Sequence, residues 1–322
     1  MTILITGATG LIGRALTQSL LDQGVQVRVV TRRPHRVLEH FDSRVTAFEW
    51  HPRTEPLPGP ALDGVERIIH LMGEPLHGAA TRADRARIVA SRRLGARRLM
   101  EALGRQRVHL IAASSIAVYG FGAGEPLKED SEVRRPKDKL ALALLGCEEA
   151  AEQIGANGST VTLVRLGLVI PPGAFPEQLR QLHAAGFTWR AAHPDAAVPA
   201  IDLVNAVSLL AWLARARRVA GPVHAVAPEP LPSGDLKALL EQAEPRPIRV
   251  PLPRTLLRRR IGALADFVHS RRRIVPQRVL DAGFKFEPPS PIESLRAVLA
   301  QEAEARPAVR RGSLLGAVWQ RS

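Results

Sequence analysis

The sequence predicts an α/β protein, a doubly wound parallel sheet with helices on both faces and a smaller C-terminal α/β lobe. Three observations carry that expectation. Short β-branched runs alternate with longer amphipathic stretches through the first half, the order of βαβ units. A turn with glycine at every third position follows the first of those runs directly. From Pro171 onward, frequent prolines divide the chain into short pieces.

Thr2 to Thr6 reads as a strand buried on both faces, because Ile and Leu run on without polar alternation. Leu11 to Gln23 has apolar residues at helical spacing, and Val25 to Thr31 and Arg44 to Trp50 predict the second and third strands. His51 to Gly64 is rich in Pro and Gly and reads as a surface loop before a fourth strand, Arg67 to Met72. Thr81 to Leu103 predicts a long helix, Val108 to Ala113 a fifth strand, Lys137 to Gln153 a helix and Thr160 to Leu166 one more buried strand, giving six or seven parallel strands. Residues 1–170 then form the core, to which a later segment such as 195–226 returns. Residues 227–305 form the lobe, packed at the carboxyl edge of the sheet where such folds hold ligands. Residues 306–322 are a basic tail, either frayed or docked through Leu314, Leu315, Val318 and Trp319.

Apolar residues are 45% and charged residues 24% of the chain, enough for a sizeable core and incompatible with intrinsic disorder. The single cysteine, Cys147, rules out an internal disulfide and suits a reducing compartment; its expected role is helix packing. No apolar run approaches the roughly 18 residues of a membrane span, and the chain enters a strand where a leader would lie. A soluble, cytoplasmic protein is expected. The net charge of +14 favours anionic partners, yet only five of the cations are lysines, and heavy use of Arg, Ala and Pro points equally to compositional bias. With 4% aromatic residues there is no stacking platform, so no specific nucleic-acid partner is expected despite runs such as Arg258 to Arg260 and Arg271 to Arg273. His70, His77, His183 and His193 lack metal-ligand spacing, and no metal is expected.

The sharpest local signal is Thr6-Gly7-Ala8-Thr9-Gly10-Leu11-Ile12-Gly13. After a strand and opening a helix, the first glycine permits the tight turn, the second lets backbone N–H groups approach a pyrophosphate, and the third lets helix and strand pack closely. The helix N-terminus adds partial positive charge. This is the fingerprint of an NAD(P)-binding Rossmann fold. An acid ending the second strand would bind the ribose hydroxyls of NAD. This chain has Thr31-Arg32-Arg33 there, two guanidinium groups suited to a 2′-phosphate, so NADP(H) is the expected cofactor.

These residues resemble the short-chain dehydrogenase/reductase superfamily, in its extended or atypical branch, whose signature is TGxxGxxG. More narrowly they resemble the sugar-nucleotide-epimerase-like "epimerase family" proteins with a C-terminal domain of unknown function. The likeness covers residues 1 to about 300, through His70-Leu71-Met72-Gly73-Glu74, Ser91-Arg92, Ser114-Ser115-Ile116-Ala117-Val118-Tyr119-Gly120, Val164-Arg165-Leu166-Gly167, Arg273-Ile274-Val275-Pro276-Gln277-Arg278 and Ala282-Gly283-Phe284-Lys285-Phe286. The resemblance implies that Gly7, Gly10, Leu11 and Ile12 hold the pyrophosphate within the Thr9- and Gly13-containing loop. It also implies that Thr31 and Arg32 meet the adenosine side, that Leu71 and Met72 line the cofactor's middle, and that Arg92 reaches it from a helix.

The superfamily's catalytic Tyr, with a Lys four residues on to lower its pKa, is missing. The one tyrosine, Tyr119, has Ala123 four residues later, and aligning Glu149 with the helix glutamate that usually follows the pair places Ala141 and Leu145 in the two positions. Ser115 keeps the place of the superfamily's active-site serine, and Tyr119 could approach a substrate from the same loop; these are the catalytic candidates. Two functions stay open: an NADP-dependent oxidoreductase or nucleotide-sugar epimerase acting on an unidentified small molecule, and a non-catalytic NADP(H)-binding redox sensor or scaffold.

Overall fold

The computed structural model describes residues 1–74, 81–122, 124–133, 138–172, 174–190, 193, 196–215, 219–243 and 248–297. His77, Lys137 and the basic tail fall outside the described residues. In chain order the elements are β1 (Thr2–Thr6), α1 (Leu11–Asp22), β2 (Gln26–Thr31), α2 (Pro34–Phe41), β3 (Val45–Glu49), β4 (Val65–His70), α3 (Arg82–Leu103), β5 (His109–Ser115), α4 (Lys139–Glu152), β6 (Thr160–Leu166) and β7 (Leu168–Ile170). There follow α5 (Glu177–Ala184), β8 (Phe187–Thr188), β9 (Ala197–Val198), β10 (Ala200–Asp202), α6 (Leu203–Arg215), β11 (Gly221–Ala225), β12 (Leu231–Pro232), α7 (Ser233–Ala243), β13 (Val250–Pro251), α8 (Arg254–Ile261), α9 (Leu264–Val268) and α10 (Gln277–Asp281).

Ile3, Leu4 and Ile5 have no exposed surface, and a run apolar on both faces is satisfied only inside a sheet covered on two sides. Accordingly β1 sits within a seven-stranded sheet of order β11-β6-β5-β4-β1-β2-β3, in which every pairing is parallel. The chain winds outward through β2 and β3 on one side of β1 and through β4, β5 and β6 on the other. The order reverses between β1 and β4, and the register pairs Thr6 with His70 there, which opens a crevice at the carboxyl ends of both strands.

One face of the sheet is covered by Leu16 and Leu20 of α1, Val37 and Phe41 of α2 and the apolar side of α6, with Phe284 and Phe286 closing the cluster. The other is covered by Leu99 and Leu103 of α3, Ala151 of α4 and Trp50. A third cluster joins α5, α7, α8 and α9 to Ile116, Leu127 and Ile170 at the carboxyl edge. Among the described residues no helix is long and apolar enough to cross a membrane.

Three details depart from the sequence expectations. Helix α2 fills a stretch to which the sequence reading assigns no element; Pro34 opens it and Val37 and Phe41, one turn apart, are buried. The segment between β3 and β4 is not wholly surface, since Leu57, Ala61 and Leu62 are buried with Trp50, whose indole N–H donates to Glu55 O at 3.3 Å. Strand β4 stops at His70, not Met72: Leu71 N–H donates to Thr6 O at 3.0 Å, and the chain then leaves the sheet against the Gly7 turn.

Candidate functional site

The glycine loop is shaped by close approach. Gly7 has φ +78°, and a Cβ on it would lie 2.8 Å from Leu71 C and 2.9 Å from Met72 N, so a side chain is excluded both by conformation and by the neighbouring strand end. A Cβ on Gly13 would collide with Gly7 O and lie 2.8 Å from Ala8 Cα. Gly10 differs from both: its backbone is ordinary, and a Cβ would meet only Gly7 O at 3.4 Å. It is exposed at the N-cap of α1, with Thr9 and Leu11 exposed beside it. The first intrahelical bond is Arg14 N–H to Gly10 O at 2.9 Å, so the N–H groups of Leu11, Ile12 and Gly13 have no acceptor within the helix. The first turn of α1 holds no acid, and its positive end faces outward.

At the end of β2, Thr31 Oγ1 accepts the Arg33 N–H at 3.3 Å and the side chains of Arg32 and Arg33 are exposed. Leu71 and Met72 are half-buried in the stretch after β4, directly against Gly7. Arg92 of α3 reaches that stretch and donates through Nη1 to Glu74 O at 2.8 Å, while Ser91 Oγ accepts the Glu74 N–H at 3.1 Å. Burial disfavours the Arg92 charge and lowers its pKa. Arg92 thus secures the backbone that carries Leu71 and Met72.

The two catalytic candidates are engaged internally. Ser115 is 2% exposed; its Oγ accepts the Ala117 N–H at 3.2 Å and donates to Leu166 O at 3.4 Å. The Tyr119 hydroxyl accepts from Arg165 Nη1 and lies 2.9 Å from His224 Nε2. His224 Nδ1 is 2.8 Å from Val275 O, which only a protonated Nδ1 can satisfy, so Nε2 is the acceptor and the phenol is the donor to it. Burial raises the Tyr119 pKa. Arg165 holds Glu148 through two N–H groups, at 3.0 and 2.7 Å, and Ser114 Oγ donates to the same carboxylate at 2.5 Å. Glu129 completes the cluster by accepting the backbone N–H groups of His224 at 3.0 Å and Arg278 at 3.1 Å.

Sequence reasoning missed the roles of Glu148, Glu129, His224 and Arg165. The signal available was two adjacent acids on one helix, of which only one can face the sheet. Glu149 is exposed and Glu148 is buried against Arg165. Ala141 and Leu145, the positions that the resemblance assigns to the Tyr and Lys, are apolar, Ala141 buried and Leu145 half-buried. Asp202 and Asn205 also serve the fold: Asp202 accepts the Asn205 N–H at 2.8 Å, and Asn205 Nδ2 donates to Pro288 O at 2.8 Å. Among the described residues no three His, Cys, Asp or Glu side chains gather where a metal could be held.

A seven-stranded doubly wound sheet with a glycine cradle at its reversal point defines a nucleotide-binding protein of the short-chain dehydrogenase/reductase type. The model of the NAD dependent epimerase/dehydratase family matches residues 3–192, and the chain belongs to that family. It is similar to the epimerase family protein YfhF of Bacillus subtilis (strain 168), 24% identical over 291 residues that span 89% of this chain and 94% of that protein. The structure of human epimerase family protein SDR39U1 (isoform 2), solved with NADPH, superposes with a TM-score of 0.74 at 21% identity, covering 93% of this chain and 99% of that one. The UDP-glucuronic acid 4-epimerase of Bacillus cereus, solved with UDP-glucuronic acid and NAD, superposes with a TM-score of 0.73 at 18% identity, covering 95% of this chain and all of that one.

Proposed function

We propose that this protein binds NADP(H) in the glycine cradle and acts as an oxidoreductase or epimerase on a small molecule in the crevice at the carboxyl edge of the sheet. The observation that carries it is the open N-terminus of α1 at Gly10, with free N–H groups and no acid, together with Arg32 and Arg33 at the end of β2. The cradle fits the cofactor: the crowding at Gly7 and Gly13 fixes the turn, and the bare Cα of Gly10 leaves the approach to the N–H groups clear. Leu11 and Ile12 present backbone N–H groups to the pyrophosphate. Arg32 pairs with the 2′-phosphate, Thr31 borders the adenosine, and Leu71 and Met72 form the apolar wall beside the middle of the cofactor. When bound, the nicotinamide ring supplies hydride transfer. The NADPH and NAD found with the human and Bacillus cereus proteins support a nicotinamide dinucleotide, and the missing acid after β2 favours the phosphorylated form.

A second reading, a non-catalytic NADP(H)-binding sensor or scaffold, is favoured by one specific observation. Ser115 and Tyr119 spend their hydroxyls inside the protein, and Ala141 and Leu145 stand where the resemblance puts an acid and its cation. The lone thiol suits a reducing compartment under either reading.

Titration of the wild type and Arg32→Ala with NADPH and NADH tests the assignment. A charge-assisted hydrogen bond contributes about 1.5–3 kcal/mol, so NADPH is expected to bind on the order of ten- to a hundredfold more tightly than NADH. Arg32→Ala removes most of that preference and leaves NADH nearly unchanged. Equal affinities in the wild type would sink the NADP(H) assignment.

A further inference from the structure

His70 ends β4 with 6% of its surface exposed, and its two ring nitrogens face different surroundings. Nδ1 lies 2.7 Å from Thr6 Oγ1. That oxygen also accepts the Met72 N–H at 3.3 Å, and among the described residues Nδ1 is the one acceptor that the buried Thr6 hydroxyl proton meets, so the hydroxyl donates to Nδ1. The imidazole hydrogen then sits on Nε2, and Nε2 meets no acceptor among the described residues. Buried N–H groups without an acceptor are rare in folded proteins.

His70 lines a cavity between α3, α4 and the carboxyl ends of β4 and β5, whose wall also carries Met72, Arg92, Ser114, Cys147 and Glu148. Gly95 makes room for the ring, since a Cβ there would lie 2.8 Å from His70 Cε1. The Glu148 carboxylate accepts two N–H groups from Arg165 and one hydroxyl from Ser114, and with about four acceptor sites it has one to spare. The cavity therefore has N–H donors in one part of its wall and an acceptor in another. An anion would be repelled by Glu148, a cation by Arg92, and an apolar occupant would leave Nε2–H unpaired. The chemistry that suits all three is a small neutral molecule that both donates and accepts.

We propose that the cavity is a binding site for one ordered water that accepts from His70 Nε2–H and donates to Glu148. The water joins two buried hydrogen-bond paths. One runs from the Met72 N–H beside the glycine cradle through Thr6 to His70. The other runs from Glu148 through Arg165, Tyr119 and His224 to Val275 O in the C-terminal segment. His70 becomes a positioning residue for the strand end that carries Leu71 and Met72, a consequence that rests on the dinucleotide reading, whereas the water site itself does not. Burial, reinforced by the Arg92 charge, holds the His70 pKa at about 4, so the ring stays neutral and its Nε2–H stays in place near neutral pH.

The test begins on the ligand-free wild-type protein. A crystal structure fine enough to show ordered solvent is expected to place one water within hydrogen-bond distance of both His70 Nε2 and Glu148. Nitrogen-15 spectra of the imidazoles, assigned by comparison with His70→Gln, are expected to show a neutral Nε2–H ring from about pH 5.5 to 8. A dry cavity, an Nδ1–H tautomer or titration near pH 6.5 would overturn the site. In the affinity arm, His70→Leu cannot donate and is expected to weaken NADPH and NADH binding alike, by about fivefold to tenfold. Unchanged affinity for both would remove the positioning role. If the wild type binds neither dinucleotide, the cofactor assignment fails while density and tautomer still decide the water. Should His70→Leu not fold, the wild-type measurements decide alone.

Discussion

At the residue scale, Tyr119 shows how a side chain is defined by its partners. In the sequence it is the only phenol near a superfamily serine, and so a candidate acid. In the fold it accepts from Arg165 and donates to His224, with its ring 4.9 Å from the Arg165 guanidinium carbon and edge-on to His224. Removing the hydroxyl leaves a buried Arg165 N–H and His224 Nε2 without their partner. Tyr119→Phe is therefore expected to lower stability by about 1–3 kcal/mol in urea unfolding while NADPH affinity stays within about twofold of the wild type. Loss of any turnover, with stability and cofactor affinity intact, would instead identify Tyr119 as the acid.

At the element scale, the strand-to-helix turn from β1 to α1 separates two jobs that one glycine motif conceals. Gly7 and Gly13 are needed by the fold, because a Cβ at either meets backbone that cannot move aside cheaply. Gly10 is not required by the fold, because its conformation suits any residue and a Cβ would meet only Gly7 O at 3.4 Å. Gly13→Ala is expected to destabilise the protein by about 2 kcal/mol or more through overpacking. Gly10→Ala is expected to keep the wild-type melting temperature within about 2 °C and to weaken dinucleotide binding about tenfold or more, since its methyl would intrude on the pyrophosphate. Calorimetric melting and a binding titration on both variants check the separation, and full affinity in Gly10→Ala would place the ligand elsewhere.

At the scale of the whole molecule, buried histidines set the acid limit of stability. His70 is held at about 4 by burial and the Arg92 charge, against an ordinary value of 6.5, and His183 is likewise held at about 4, by burial and the charges of Arg249 and Lys237. The unfolded chain takes up protons below pH 6.5 where the folded one does not, so stability is full above that pH and falls as the pH drops toward about 4. His70 alone accounts for on the order of 3 kcal/mol of that loss by pH 4. The urea midpoint is expected to fall steadily from pH 7 to pH 5, and His70→Gln to flatten part of the slope; a midpoint constant over that range would show that the rings titrate freely. The basic composition has a structural use as well. Arg254 and Arg258 reach Asp266 and Asp138 at 2.7 and 2.8 Å, so part of the arginine run on α8 fastens that helix to α9 and to the start of α4.

The sequence alone determined the parallel sheet, the glycine cradle and the absence of the Tyr/Lys pair, because each is written in consecutive residues: unbroken apolar runs, glycines three apart, leucine and alanine where polar groups should be. Its boundaries slipped at β4, where a contact from Gly7 decides where the strand stops. It passed over α2 because eight residues with three apolar ones, Val37, Leu38 and Phe41, are too short a stretch to establish a period. The cluster of Glu148, Arg165, Tyr119, His224 and Glu129 was decided only by tertiary structure. Its members lie up to 105 residues apart, and no local pattern shows which of Glu148 and Glu149 faces the sheet. The same holds for His70: its neighbours in sequence say only that it ends a strand. Its burial and the bonds of the Thr6 hydroxyl decide which nitrogen carries the proton, and burial with the Arg92 charge keeps the ring neutral.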